Sequence, residues 1–192
     1  MSVLSLRRGA VGAGAAAVLA ATGSWVLRPA DVDEGLWAEV RPVIEARIAA
    51  ESGRSGFGAS GGSGFGATVP ALGARWFCRA EPLELEQHAG DVRAGVNTLC
   101  VEYGVRDGSL VECGAGQHPQ VVRLRRDGSA DGGYRLVSRE EPPDGAEYGR
   151  WTHSHFGVYV RPSLREPMSS AALETEARVH FGLPADASVG KC

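Results

Sequence analysis

Four cysteines and a His-Ser-His triplet are the residues of this 192-residue chain whose types and spacing bear most directly on chemistry. Cys78, Cys100, Cys113 and Cys192 contain no Cys-x-x-Cys pair, and the histidines are not spaced as zinc-finger partners. That spacing argues for disulfides over a metal centre, because an even number of thiols pairs completely in an oxidising compartment. His153, Ser154 and His155 offer two imidazoles to a divalent ion. Two positions apart they diverge on a helix and would share a metal only on a strand, and no neighbouring carboxylate or cysteine completes the set. No Gly-x-Ser-x-Gly elbow, phosphate loop or dinucleotide fingerprint occurs, so no residue is assigned as catalytic or metal-ligating and no cofactor is implied.

The compartment that would oxidise the cysteines is indicated by residues 1–30. Arg7 and Arg8 precede an uncharged run rich in Ala, Gly, Val and Leu that ends at Leu27. At about 19 residues the run is long enough for a membrane helix, and small residues at Ala20 and Ala21 equally suit a signal peptidase. The paired arginines suit a twin-arginine signal less well, since Gly9, Ala10 and Val11 follow them where bulkier residues are usual. No cysteine follows the run, which argues against a lipoprotein. Positive residues stay inside, so the chain from Arg28 onward is expected across the membrane, anchored or secreted.

Size and charge narrow the remainder. Hydrophobic content of 43%, charged content of 22% and a net charge of −3 fit one globular domain with accessory segments. They provide no long-range field for nucleic acid, which is not expected as a partner. The nearest approach to a basic run, Arg123-Leu124-Arg125-Arg126, reads as the solvated end of a strand.

The elements that position the cysteines follow from periodicity. Leu36, Trp37, Val40, Val43, Ile44 and Ile48 trace one helix face over residues 31–52, with Asp33 as cap and Ser52-Gly53 as stop. Pro42 predicts a kink or restart near residues 39–42. Residues 53–74 change to Gly, Ser, Ala and Phe and repeat Ser-Gly-Phe-Gly-Ala, which predicts a flexible insert; Phe57 and Phe65 as sticky points for a partner or membrane face is the lesser reading. Residues 75–192 then read as an antiparallel β-meander of about four strands and a helical tail. Trp76, Cys78 and Ala80 alternate with Arg75, Arg79 and Glu81; Pro82 predicts a bulge, after which Leu83 and Leu85 alternate with Glu84 and Glu86. Turns near Ala89-Gly90 and at Asp107-Gly108 return the chain, and Gly114, Ala115, Gly116 and Pro119 break or bulge the third strand. The first hairpin brings Cys78 almost opposite Cys100, which favours that disulfide and leaves Cys113 for Cys192, although two other connectivities stay open. A final helix is expected over residues 170–181, capped by Ser170, with Leu173, Ala177 and Phe181 on one face.

One helix on a curved antiparallel meander, with a Gly-Gly-Tyr-Arg-Leu-Val strand near its end, resembles the cystatin-like and NTF2-like α+β folds. Trp76-Phe77-Cys78, Leu99-Cys100-Val101-Glu102-Tyr103 and Pro142-Pro143-Asp144-Gly145 with Tyr148 and Phe156 look like a family of uncharacterised secreted or membrane-anchored actinobacterial proteins. That resemblance covers residues 76–156, carries no activity, and is departed from by the Gly/Ser insert. NTF2-like enzymes place an acid and a histidine inside the cone, which draws attention to Glu102 and His118. Glu102 is expected as a solvated carboxylate on the outer face and His118 as a turn residue. The sequence thus leads to an extracytoplasmic, disulfide-braced domain that binds an unknown protein or a small apolar ligand without transforming it. A small apolar ligand or substrate in a pocket lined by Trp37, Trp76, Glu102 and Tyr103 is the alternative, and a purely structural cell-envelope module the third reading.

Overall fold

The computed structural model describes residues 32–55 and 70–192; the expected signal or anchor at 1–30 and most of the Gly/Ser-rich insert, with Phe57 and Phe65, lie outside the described residues. Three helices and a five-stranded, mostly antiparallel open sheet make an α+β fold. In chain order these are α1 (Glu34–Ser55), β1 (Arg75–His88), β2 (Asp91–Arg106), β3 (Ser109–Arg126), β4 (Tyr134–Glu140), α2 (Glu147–His155), α3 (Ala171–Phe181) and β5 (Val189–Lys191). No helix among the described residues is long and apolar enough to cross a membrane.

α1 starts at its expected cap: the Leu36 N–H donates to Asp33 Oδ1 at 2.9 Å, satisfying a first-turn donor. Trp37, Val40, Ile44 and Ile48 are buried against the sheet. Of the kink or restart expected near residues 39–42, the restart does not occur: one helix runs through Pro42 to Ser55. Pro42 and Ala38, whose carbonyl loses its donor, are both exposed, so water can reach that carbonyl. Four buried side chains at roughly 1.5–3 kcal/mol each outweigh a proline cost of about 3 kcal/mol.

The strands order as β1-β2-β3-β4. Both tight hairpins turn on pairs with positive φ, Ala89 (48°) with Gly90 (92°) and Asp107 (50°) with Gly108 (75°), which matches the twist of the strands they join. The register slips between Pro82 and Glu84, as expected, leaving Leu83 as the extra residue. The alternation past it differs from the expectation. Leu83 is buried with Val121 and Phe156 on one face, while Leu85 packs on the α1 cluster on the other, because a bulge turns two successive side chains to one side.

β3 is one continuous strand, not a broken one, and its bulge is confined to Cys113, between the pairs Tyr103–Glu112 and Glu102–Gly114. Pro119 is tolerated for a geometric reason. Cys78 and Cys100 form a narrow pair, Cα–Cα 4.1 Å, so Cys100 and every second residue from it turn their backbone groups toward β3. Asn97 does not, and its partner Pro119 therefore points its nitrogen at the outer edge, before β4 begins to pair at Val121.

α1 covers one face of the sheet, packing on Cys78, Ala80, Val92, Ala94, Val96, Val122 and Leu124. On the other face α3 sets Leu173 and Ala177 on Phe77, Leu99, Val101 and Tyr103, and the chain after α2 sets Phe156, Val160 and Leu164 on Leu83 and Val121. Gly95 admits that second layer: a Cβ there would lie 2.8 Å from the Phe156 ring. α3 ends as expected at Gly182 in the left-handed region, with the Leu183 N–H donating to the Arg178 carbonyl. Its expected cap differs, since the Ser170 hydroxyl donates to the Glu174 carboxylate at 2.9 Å instead of accepting from the backbone. β5, which the sequence reading did not contain, pairs in parallel with the start of β3.

Candidate functional site

Both expected disulfides are present and no cysteine is free. The Pro82 bulge removes the register offset, so Cys78 lies directly opposite Cys100. The end of α1 covers that bridge, with the Ser52 hydroxyl donating to the Ile48 carbonyl and lying 3.9–4.0 Å from both sulfurs. Cys113–Cys192 fastens β5 to β3, beside a Lys191–Glu112 ion pair of 2.6 Å. Two such bridges are compatible with an oxidising, extracytoplasmic environment.

The residues expected to line a pocket divide between the two faces. Trp37 and Trp76 belong to the α1 face, and Trp76 lies directly opposite Glu102 in register. Tyr103 is on the other face, packed against Phe77 under α3. Burial pushes its hydroxyl up to about 12, helped by the charges of Glu174 and Glu112, so it stays protonated across physiological pH. Glu102 is not the solvated carboxylate expected; only 4% of it is exposed. The Trp76 indole reaches past Glu102 to Gly114 on β3, where a Cβ would sit 3.4 Å from the ring. The absent side chain of Gly114 gives the indole room on β3, a cue available in the Gly-Ala-Gly of the sequence. His118 shares that face, yet it pairs with Thr98, four residues along β2 from Glu102. Their α-carbons are about 13 Å apart along the strand, too far for a direct acid–base hydrogen bond.

His153 and His155 diverge on α2, as their spacing implied. His153 Nδ1 meets Arg161 at 2.8 Å, while His155 stacks on Trp151 and pairs with Glu140 at 3.3 Å. Among the described residues no group of three or more His, Cys, Asp or Glu is placed to hold a metal.

The surface the fold leaves open lies at the β1–β2 hairpin end, on the α2 side of the sheet. Past the crossing of Phe156 no described helix covers this face, and a depression of about 310 Å³ remains over the strands. Two rungs of side chains form its floor. One runs Glu86, Arg93, Arg123 and the next His88, Asp91, Arg125, each across β1, β2 and β3, and Arg135 on β4 lies opposite Arg125 just outside the lining. Arg93 therefore opposes Arg123, and Arg125 opposes Arg135. Acids compensate unequally: Arg93 meets Glu84 and Glu86 at 3.4 and 3.6 Å and donates to the His155 carbonyl at 2.7 Å. Arg125 grips both oxygens of Asp91 at 2.8 and 3.3 Å, which holds the Asp91 carboxyl below its usual range. Val137 stands 46% exposed beside them.

Sequence reading singled out Arg123 and Arg125 but took them as a solvated strand end. The residues that turn them into a cluster, Arg93 and Arg135, come from strands whose register only pairing sets. Comparison with protein families, with curated proteins and with solved structures finds no match for this chain.

Proposed function

We propose that the chain is an extracytoplasmic domain that is anchored or released through residues 1–30, braced by its two disulfides, and binds a partner without transforming it. The observation that carries this reading is the open, charged depression at the hairpin end, on a sheet whose faces are elsewhere packed against helices and their flanking chain. The ionisable groups gathered there are arginines set against carboxylates, an arrangement suited to recognition. A helix followed by a four-strand meander supports the cystatin-like resemblance, with α2 and α3 as additions on the second face.

The test is site-specific photocrosslinking of the full chain in its native host, with the photoreactive residue at Val137 in the depression or at exposed Val179 on α3. A discrete adduct from position 137 and none from position 179 is the expected result. Equal adducts from both, or none from position 137, would sink the reading. Burial of Glu102, opposite Trp76 in register, favours a second one, a ligand held on the α1 face, for which Glu102→Gln would change ligand binding while leaving the Val137 adduct intact.

A further inference from the structure

The geometry points to an acidic peptide segment laid across the depression and the adjoining β4, its carboxylates taken by Arg123 in the lining and Arg135 on the strand beside it. This inference rests on the reading of the open sheet end as a binding surface.

Like charges directly opposite one another on neighbouring strands destabilise a sheet, and here two such pairs adjoin, Arg93 with Arg123 and Arg125 with Arg135. Close internal partners occupy only one arginine of each pair. Arg93 is held by two glutamates and a carbonyl, and Arg125 by the two-point contact with Asp91. Arg123 reaches only Glu140, at 4.0 Å, and Arg135 reaches Asp127 at 3.4 Å. Asp127 in turn accepts from the Ser129 N–H and hydroxyl at 3.0 and 2.6 Å. Arg123 and Arg135 are 57% and 50% exposed, and each planar guanidinium carries more donors than the one acid it meets among the described residues can use.

The surrounding charge selects the ligand. Glu86 and Asp91 line the same depression, and Glu140 and Asp127 are the acids that meet Arg123 and Arg135. A phosphate concentrates nearly two charges on one centre among these acids, whereas an extended peptide brings a single charge to each arginine, exchanging one for one with Glu140 at Arg123 or with Asp127 at Arg135. The spacing selects an extended peptide. Arg135 opposes Arg125, two residues from Arg123, so the two loosely held arginines lie about 8 Å apart at their α-carbons. Side chains i and i+2 of an extended peptide are about 7 Å apart and point the same way. Exposed Val137 supplies an apolar contact beside them.

The experiment follows backbone amide resonances of the full chain in neutral detergent during titration with an amidated hexapeptide alternating glutamate and valine. Its glutamine counterpart and inorganic phosphate are titrated in parallel. The expected result is that the acidic peptide shifts residues 123–125 and 135–137 but not 173–177, and weakens as salt rises toward 0.5 M. Arg123→Gln with Arg135→Gln is expected to weaken it about tenfold, whereas Glu140→Gln, which frees Arg123, tightens it about twofold to threefold. Equal binding of the glutamine peptide, tighter binding of phosphate, shifts elsewhere, or an unchanged affinity in the double variant would overturn the inference. A Val137 adduct in cells combined with any of these results would overturn the ligand class alone.

Discussion

At Val101 and Tyr103 the middle of β2 belongs to a sheet covered on both faces, whereas at Asp91 and Arg93 the same strand is covered on one face and charged on the other. The strand does not change conformation between these two ends. What changes is the second layer, which begins where Phe156 crosses over Gly95 and ends short of the hairpin. Alternation of side chains therefore records how far a covering layer extends, and the arginines gather on the part of the face that it leaves bare.

That contrast is sharpest for an introduced charge. Val101→Asp, at the covered end, places an unpaired carboxylate in the cluster under α3 and is expected to cost about 4 kcal/mol or more, which prevents folding. Arg123→Asp, at the open end, is expected to change stability by no more than about 0.5 kcal/mol. Denaturant titration of both variants decides it, and equal losses would erase the distinction between the two ends. The disulfides come next. Replacing Cys113 and Cys192 by Ala opens a span of 79 residues and should cost about 4 kcal/mol, against about 3 kcal/mol for Cys78 and Cys100 with a span of 22. A larger loss for the second pair would mean that packing beneath α1, not chain entropy, dominates there.

The border between the ends should be strained by Gly95→Val, whose Cβ meets the Phe156 ring, at about 2 kcal/mol. Crosslinking from Val137 should then widen its footprint toward β2 if Phe156 is displaced. A smaller effect concerns the outer edge of β1. There the Ala80 N–H donates to Glu45 Oε1 at 3.0 Å, a contact that occupies a donor an added strand would use, next to Pro82, which has none to offer. Glu45→Ala is expected to lose about 1 kcal/mol and to self-associate through β1 at high concentration, read by sedimentation. A monomeric, equally stable variant would show that the edge needs no guard.

The pH dependence of the two regions should differ in sign. Burial raises the Glu45 carboxyl above its ordinary range, so its contribution is fully present below the unfolded value and declines as pH rises through the folded one. Hydrogen bonding to Arg125 lowers Asp91, so its contribution is present above the unfolded value and is lost as pH falls through the folded one. Side-chain carboxyl shifts followed from pH 2 to 7 would show the two titrations moving apart; a shared midpoint would refute the assignment.

Much of this architecture was legible in the residues. The α1 stripe, the Ala89-Gly90 and Asp107-Gly108 turns and the Pro82 bulge are local devices, and together they aligned Cys78 with Cys100 before any packing was known. The unbroken helix through Pro42 was not legible, because exposure of that side depends on which face the sheet buries. Burial of Glu102 was equally hidden, since side-chain alternation along β2 does not tell which face is closed at that position.

The sequence by itself determined α1, the four antiparallel strands, α3 and their order, and favoured Cys78 with Cys100, because capping, turn geometry and side-chain alternation act over a few residues; β5 and the choice among the three cysteine connectivities it left open. Only the tertiary structure decided which faces were closed, that Tyr103 and Glu102 look in opposite directions into different layers, and that three arginines from two strands meet on one open floor with a fourth on β4 beside it. Those outcomes depend on register and on where α2 and α3 come to rest, and contacts between residues distant in the chain set both.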